Sequence, residues 1–126
     1  MTKKIFNLIL FVFITFPVSA FSMQHTPYGN WARGDNIAKV NIYQCGANLC
    51  VKNIWIRPGT KSEKVGDYLV IQIHSHKNGQ ITGIAGDPQR NLKYKISMQY
   101  ASEKMVSKGC ILGGLVCKTA HWKKID

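Results

Sequence analysis

Tyr68-Leu69-Val70-Ile71-Gln72-Ile73-His74-Ser75-His76-Lys77-Asn78-Gly79-Gln80-Ile81-Thr82-Gly83-Ile84-Ala85 is the stretch whose reading decides the fold. Within Tyr68 to His74, the side chains of Leu69, Ile71 and Ile73 share one face. That period of two marks a half-buried strand. Asn78-Gly79 follows, a pair that tolerates the positive φ angles a tight hairpin demands. Gln80 to Ala85 then runs back. The stretch reads as a β-hairpin.

Outward from it the pattern repeats. Ala38, Val40 and Ile42 alternate with Lys39, Asn41 and Tyr43. Val51 to Ile56 is rich in β-branched residues and carries Trp55. After the hairpin, Gly86-Asp87-Pro88 breaks the chain. Leu92, Tyr94, Ile96 and Met98 then alternate with Lys93, Lys95 and Ser97. Lys104 to Cys110 and Leu115 to Trp122 finish the series, separated by Gly113-Gly114. No stretch beyond residue 20 has a helical period. Seven or eight short strands with tight turns predict an all-β protein, an antiparallel up-and-down meander. An open meander leaves two unpaired edges, and closure into a barrel of about eight strands removes them. Such a barrel is just wide enough inside for packed side chains or one small ligand. The sequence leaves both open.

The first twenty residues have another character. Thr2-Lys3-Lys4 is positive, Ile5 to Phe16 is an apolar run of 12 residues, and Pro17-Val18-Ser19-Ala20 ends in small residues. That order predicts a secretory signal peptide cleaved after Ala20. The run is too short for a spanning helix, which needs roughly 20 residues. The expected organisation is a signal peptide at 1–20, a loose leader at 21–28 and one barrel domain at 29–126. The protein is expected in the periplasm or secreted, with no transmembrane segment after cleavage.

Composition narrows the partners. The chain has 17 basic and 6 acidic residues. Removing Lys3 and Lys4 with the leader leaves 15 against 6, a net +9. Such a charge favours anionic partners, lipid or glycan among them. Lys93 and Lys95 share the outward face of one strand and, with Lys118, Lys123 and Lys124, are the candidate anionic-surface residues. A nucleic-acid module wants aromatics interleaved on that same face. Tyr94 points the other way, so no specific nucleic-acid partner is expected. Trp31, Trp55, Tyr94 and Trp122 are the candidate ligand-binding aromatics.

The four cysteines, an even number in an oxidising compartment, read as two disulfides. Cys45 and Cys50 flank one turn, and Cys110 and Cys117 flank another. Pairing within each turn is the preferred of three connectivities. The spacings do not suit a zinc knuckle, and no Cys-x-x-Cys redox motif is present. His74 and His76, two apart, should share a strand face, but no third metal ligand is identifiable. No carboxylate pair, nucleophile elbow, zinc-protease motif or phosphate loop is visible. Asp87, ahead of Pro88, suits a turn. No metal, cofactor or catalytic residue is therefore expected.

The spaced motifs together resemble a known family. Gly29-Asn30-Trp31, Cys45-Gly46, Leu49-Cys50, Ile54-Trp55, Gly83, Asp87-Pro88, Tyr94, Gly109-Cys110, Thr119 and Trp122-Lys123 follow in the order found in a family of small exported bacterial proteins known only as a domain of unknown function. The resemblance covers nearly all the chain after the leader. The Gly-x-Trp opening also resembles that of the lipocalins, barrels that hold small apolar ligands. The resemblance implies the barrel and export, and it brings no catalytic residues. Family members usually carry a longer polar loop after the Trp55 strand, rich in Asp, Asn, Arg and Pro. Here it is the short, basic Arg57-Pro58-Gly59-Thr60-Lys61-Ser62-Glu63-Lys64, and Val51 stands where the family often has Gly.

The expected function is thus an exported, non-catalytic binding protein. Its ligand is a small apolar molecule in the barrel or an anionic lipid or glycan on the basic surface. The alternative is a structural or interaction module with a filled barrel, serving the cell envelope or secreted as an effector, with an envelope or host protein as partner.

Overall fold

The structure, a computed structural model, describes residue 2, residues 9–17 and residues 25–126. The expected cleavage site at 18–20 and the start of the leader at 21–24 lie outside the described residues. Among the described residues no helix is long and apolar enough to cross a membrane.

Eight strands follow one another: β1 (Gly29–Arg33), β2 (Ala38–Cys45), β3 (Asn48–Ile56), β4 (Tyr68–Lys77), β5 (Gln80–Asp87), β6 (Leu92–Tyr100), β7 (Lys104–Ile111) and β8 (Val116–Lys124). Each pairs antiparallel with the next, and β8 returns to β1, closing the barrel. This is the expected all-β, eight-stranded, up-and-down architecture. The hairpin at Asn78-Gly79 forms as read, with Lys77 opposite Gln80. The short β1 was not separable by periodicity. It buries one side chain completely, Trp31. Its pairing of Trp31 with Lys124 and Ala32 with Lys123 is what removes the sheet edges.

Alternation sends one side chain in two into the barrel. Trp31, Val40, Ile42, Leu49, Ile71 and Ile81 are almost fully buried. Burying each contributes about 1.5–3 kcal/mol. Two bulges reset this alternation. One lies at Lys39/Val40, where Lys39 faces Trp55 but Val40 faces Asn53, leaving Ile54 as the extra residue. The other lies between Ile73 and Ser75, with His74 extra. His76 then falls opposite the buried Ile81, while Ser75 falls opposite Thr82. His74 and His76 therefore do not share a face as strict alternation predicts. His76 instead bonds through Nε2 to the Tyr100 hydroxyl at 2.6 Å.

The up-and-down topology gives the barrel two ends. The β2–β3, β4–β5 and β6–β7 turns gather at one, with the start of β1 and the finish of β8. This end is closed. Pro27 is buried, and its carbonyl accepts the Trp31 indole N–H at 2.9 Å. The Lys124 ammonium lies 5.1 Å from the Trp31 ring centroid and donates to the Tyr28 carbonyl at 2.5 Å. Pro27 and Tyr28, expected in a loose leader, thus pack onto the barrel. The fully buried Trp31 N–H needs an acceptor, and the Pro27 carbonyl supplies it.

Both expected disulfides form. Cys45–Cys50 and Cys110–Cys117 span Cα separations of 5.8 and 4.1 Å. Each fixes a hairpin register; Cys110 and Cys117 are direct cross-strand partners.

Candidate functional site

The β1–β2, β3–β4, β5–β6 and β7–β8 connections gather at the other end, and below them the barrel is hollow. The cavity measures about 450 Å³. That is room for roughly fifteen water molecules and lies within the range of small-molecule sites. Its deep wall is apolar, formed by Ile42, Ile71, Ile96, Met98 and Met105. Tyr94, Trp122, Gly109 and Ala120 line it higher up.

Two features open the upper cavity. Gly109 lies beside the Tyr94 ring on the neighbouring strand, and a Cβ there would stand 2.8 Å from the ring. The missing side chain lets the aromatic lie flat against the wall. Burial, aided by the Asp87 charge, raises the Tyr94 hydroxyl pKa above its usual value and keeps it neutral. Trp122 donates its indole N–H to the Ser107 hydroxyl at 2.9 Å, which satisfies its polar edge.

The rim is charged and strongly ordered. Arg33, at the end of β1, donates to both carboxylate oxygens of Glu63, at 2.9 and 2.5 Å, and to Asp35 at 2.9 Å. Arg90, in the β5–β6 turn, donates to Asp87 at 3.0 Å, lies 3.6 Å from Asp67, and donates to the Ser62 carbonyl. Glu63, Ser62 and Asp67 all belong to the β3–β4 connection. Two arginines on the barrel thus hold that loop against the mouth. The Arg33 hydrogen bonds hold the Glu63 carboxyl below its ordinary value, outweighing partial burial. Burial pushes Asp35 up, but the Ile37 N–H and Arg33 together bring it below its ordinary value. Asp87 also accepts the Arg90 backbone N–H at 3.2 Å, the turn role its place before Pro88 suggested. Among the described residues, no three His, Cys, Asp or Glu side chains gather to hold a metal.

The candidate aromatics divide. Tyr94 and Trp122 line the cavity. Trp31 lies beneath it as part of the closed end. Trp55 does not line the cavity but lies on the outer surface, where the Lys39 ammonium lies 5.1 Å from its ring centroid. The bulge at Lys39/Val40 sets that orientation. The candidate lysines do not form one stripe. Lys93, Lys95 and Lys123 point outward, but Lys118 lines the cavity and Lys124 turns inward to Trp31. Lys118 and Lys124 share the inward phase of β8 with Ala120 and Trp122, so a common outer face is geometrically excluded. Sequence reading missed Arg33, Glu63, Asp67 and Arg90, whose partners are set by loops. The spacings Arg33-Gly34-Asp35 and Asp87-Pro88-Gln89-Arg90 were the local signals available.

A closed floor, an apolar interior and an ion-paired rim define a small, hollow, antiparallel β-barrel with one open mouth. The chain belongs to the family described as uncharacterized protein conserved in bacteria (DUF2147), whose profile matches residues 29–124. No curated protein and no solved structure gives a significant match.

Proposed function

We propose that this protein is an exported, non-catalytic binding protein that takes a small apolar molecule into its barrel. The observation that carries this reading is the 450 Å³ cavity, aliphatic at its base and open at one end. A module built only to present a surface has no need of a hollow core, since an unfilled interior forfeits packing energy. The rim supports a binding role over a catalytic one. Asp35, Glu63, Asp67 and Asp87 are all engaged by arginines, and Arg33, joined at Asp35 by the Ile37 N–H, holds the Glu63 and Asp35 carboxyls below their ordinary values, which suits ion-paired rim groups and not a general acid. Two disulfides are compatible with export.

The test is displacement of an environment-sensitive apolar dye, such as 1-aminoanthracene, by alkanols of graded length. Wild-type protein is expected to bind the dye in low and high salt alike, because burial of an apolar ligand is not screened. Ala120→Phe places a ring into the upper cavity and should abolish uptake while leaving the fold intact. Equal dye binding by wild type and Ala120→Phe would sink the cavity reading.

A further inference from the structure

The geometry points to a membrane-docking element: the β7–β8 hairpin tip seats the barrel mouth on an anionic lipid bilayer. The tip is Ile111-Leu112-Gly113-Gly114-Leu115-Val116, six residues without a charge. Its aliphatic side chains face solvent. Leu112 is 69% exposed, Leu115 86% and Val116 51%. Such an apolar cluster on a soluble barrel marks an interaction site. The backbone holds it in a costly shape. Leu112 adopts φ 54°, a left-handed conformation rare for a bulky residue, and Gly113 and Gly114 follow at 66° and 91°. Strain kept at an exposed leucine gains the fold nothing by burial. The Cys110–Cys117 bridge at the base keeps the tip rigid.

The surroundings choose the partner. Every carboxylate in the open-end connections is engaged by an arginine, Asp35 and Glu63 by Arg33, Asp67 and Asp87 by Arg90. Among the described residues, Arg57, Lys61, Lys64, Lys93, Lys95 and Lys118 have no ion pair, and all lie in the open-end loops or the strand ends beside them. Lys93 and Lys95 flank a groove that Ile111 and Leu112 help to wall. An apolar tip flanked by Lys93 and Lys95, on a barrel end that carries further unpaired cations, combines the two signals that stable surface association with a bilayer requires. Ile111 and Val116 also line the cavity, so a docked tip brings the mouth to the lipid surface. The docking goes beyond cavity binding, and Leu112, Leu115, Lys93 and Lys95, on which it is tested, do not line the cavity.

The experiment is co-sedimentation of the full protein with vesicles of phosphatidylglycerol or of phosphatidylcholine. Binding is expected to phosphatidylglycerol, to be negligible with phosphatidylcholine, and to weaken with salt. Leu112→Asn with Leu115→Ser should lower affinity roughly ten-fold or more, the burial of two leucines being lost. Asn accepts the left-handed backbone, so the tip keeps its shape. Lys93→Gln and Lys95→Gln should each cost roughly five-fold. No vesicle binding would overturn the proposal, as would equal binding by wild type and the double leucine variant. A lipid-free dimer that the leucine variant abolishes would assign the tip to a second copy and overturn it too. Dye uptake separates the two readings: vesicle binding without dye uptake sinks the cavity alone, and uptake without vesicle binding sinks the docking alone.

Discussion

Arg33 and Glu63, thirty residues apart in sequence, meet through two parallel hydrogen bonds across the barrel mouth. The guanidinium comes from the wall and the carboxylate from the β3–β4 loop, so one contact fastens the loop to the barrel. A paired fork of this kind is the strong form of a charge-assisted bond. Glu63→Gln should cost about 2 kcal/mol of stability and release the loop. Lys61 and Lys64 would then be exposed to trypsin on a freer chain. Limited proteolysis should show faster cleavage there in the variant than in wild type. Unchanged cleavage would mean that Arg90 alone secures the loop.

The same contact makes the mouth acid-sensitive. Glu63 in the folded state titrates below its ordinary value of 4.5, and Asp35 below its ordinary 3.8. Between the ordinary and lowered values the unfolded chain binds protons that the folded chain does not. Stability therefore rises with pH across that window, is fully present above about 4.5, and is lost as pH falls through the lowered values. Hydrogen-exchange protection over residues 57–67, taken relative to the intrinsic rate at each pH, should fall below about pH 4 before that of the strands. Glu63→Gln should flatten most of this dependence.

Gly109 exists for Tyr94. The ring occupies the space where a Cβ on Gly109 would sit, at 2.8 Å. Gly109→Val should destabilise the barrel by about 1–3 kcal/mol through overpacking and drive the ring into the cavity. Thermal unfolding measures the first effect and dye binding the second. Tyr94→Leu in the same chain should recover over half of the lost stability. Two independent penalties would mean that the residues do not share this space.

The sequence carried the barrel because closure follows from local patterns. Asn78-Gly79 fixes one hairpin, and the alternation of Leu92, Tyr94, Ile96 and Met98 needs no knowledge of the rest. The bulges were invisible, since one extra residue at Ile54 or His74 leaves composition unchanged. They alone turned Trp55 outward and separated His74 from His76. The inward lysines were hidden for a different reason. Lys118 and Lys124 alternate with His121, Lys123 and Thr119 in a strand with little apolar contrast, so neither phase announced itself as the interior. The rim pairs join residues 30 positions or fewer apart through loops of irregular backbone, where no period exists to read. Hollowness was beyond sequence altogether, because it depends on Gly109 and Ala120 standing opposite one another's larger neighbours in space.

The two disulfides should differ in their resistance to reduction. Cys50 is 5% exposed, so attack on the Cys45–Cys50 bridge at that sulfur requires local opening of the β2–β3 hairpin. Cys117 lies exposed at the base of the apolar tip. Exchange needs an approaching thiolate in line with a sulfur, so access sets the order. Mild reductant on folded protein, followed by alkylation and peptide mass mapping, should label Cys110 and Cys117 first. The bridge closes a short loop, and opening it should cost about 2–3 kcal/mol in the simple chain-entropy account. The barrel should survive, since β7 and β8 still pair along their length from Lys104 to Ile111. The tip, however, would lose its clamp. Vesicle affinity should therefore fall on selective reduction while dye uptake persists. Labelling of Cys45 and Cys50 first would show that the β2–β3 end opens more readily than the mouth.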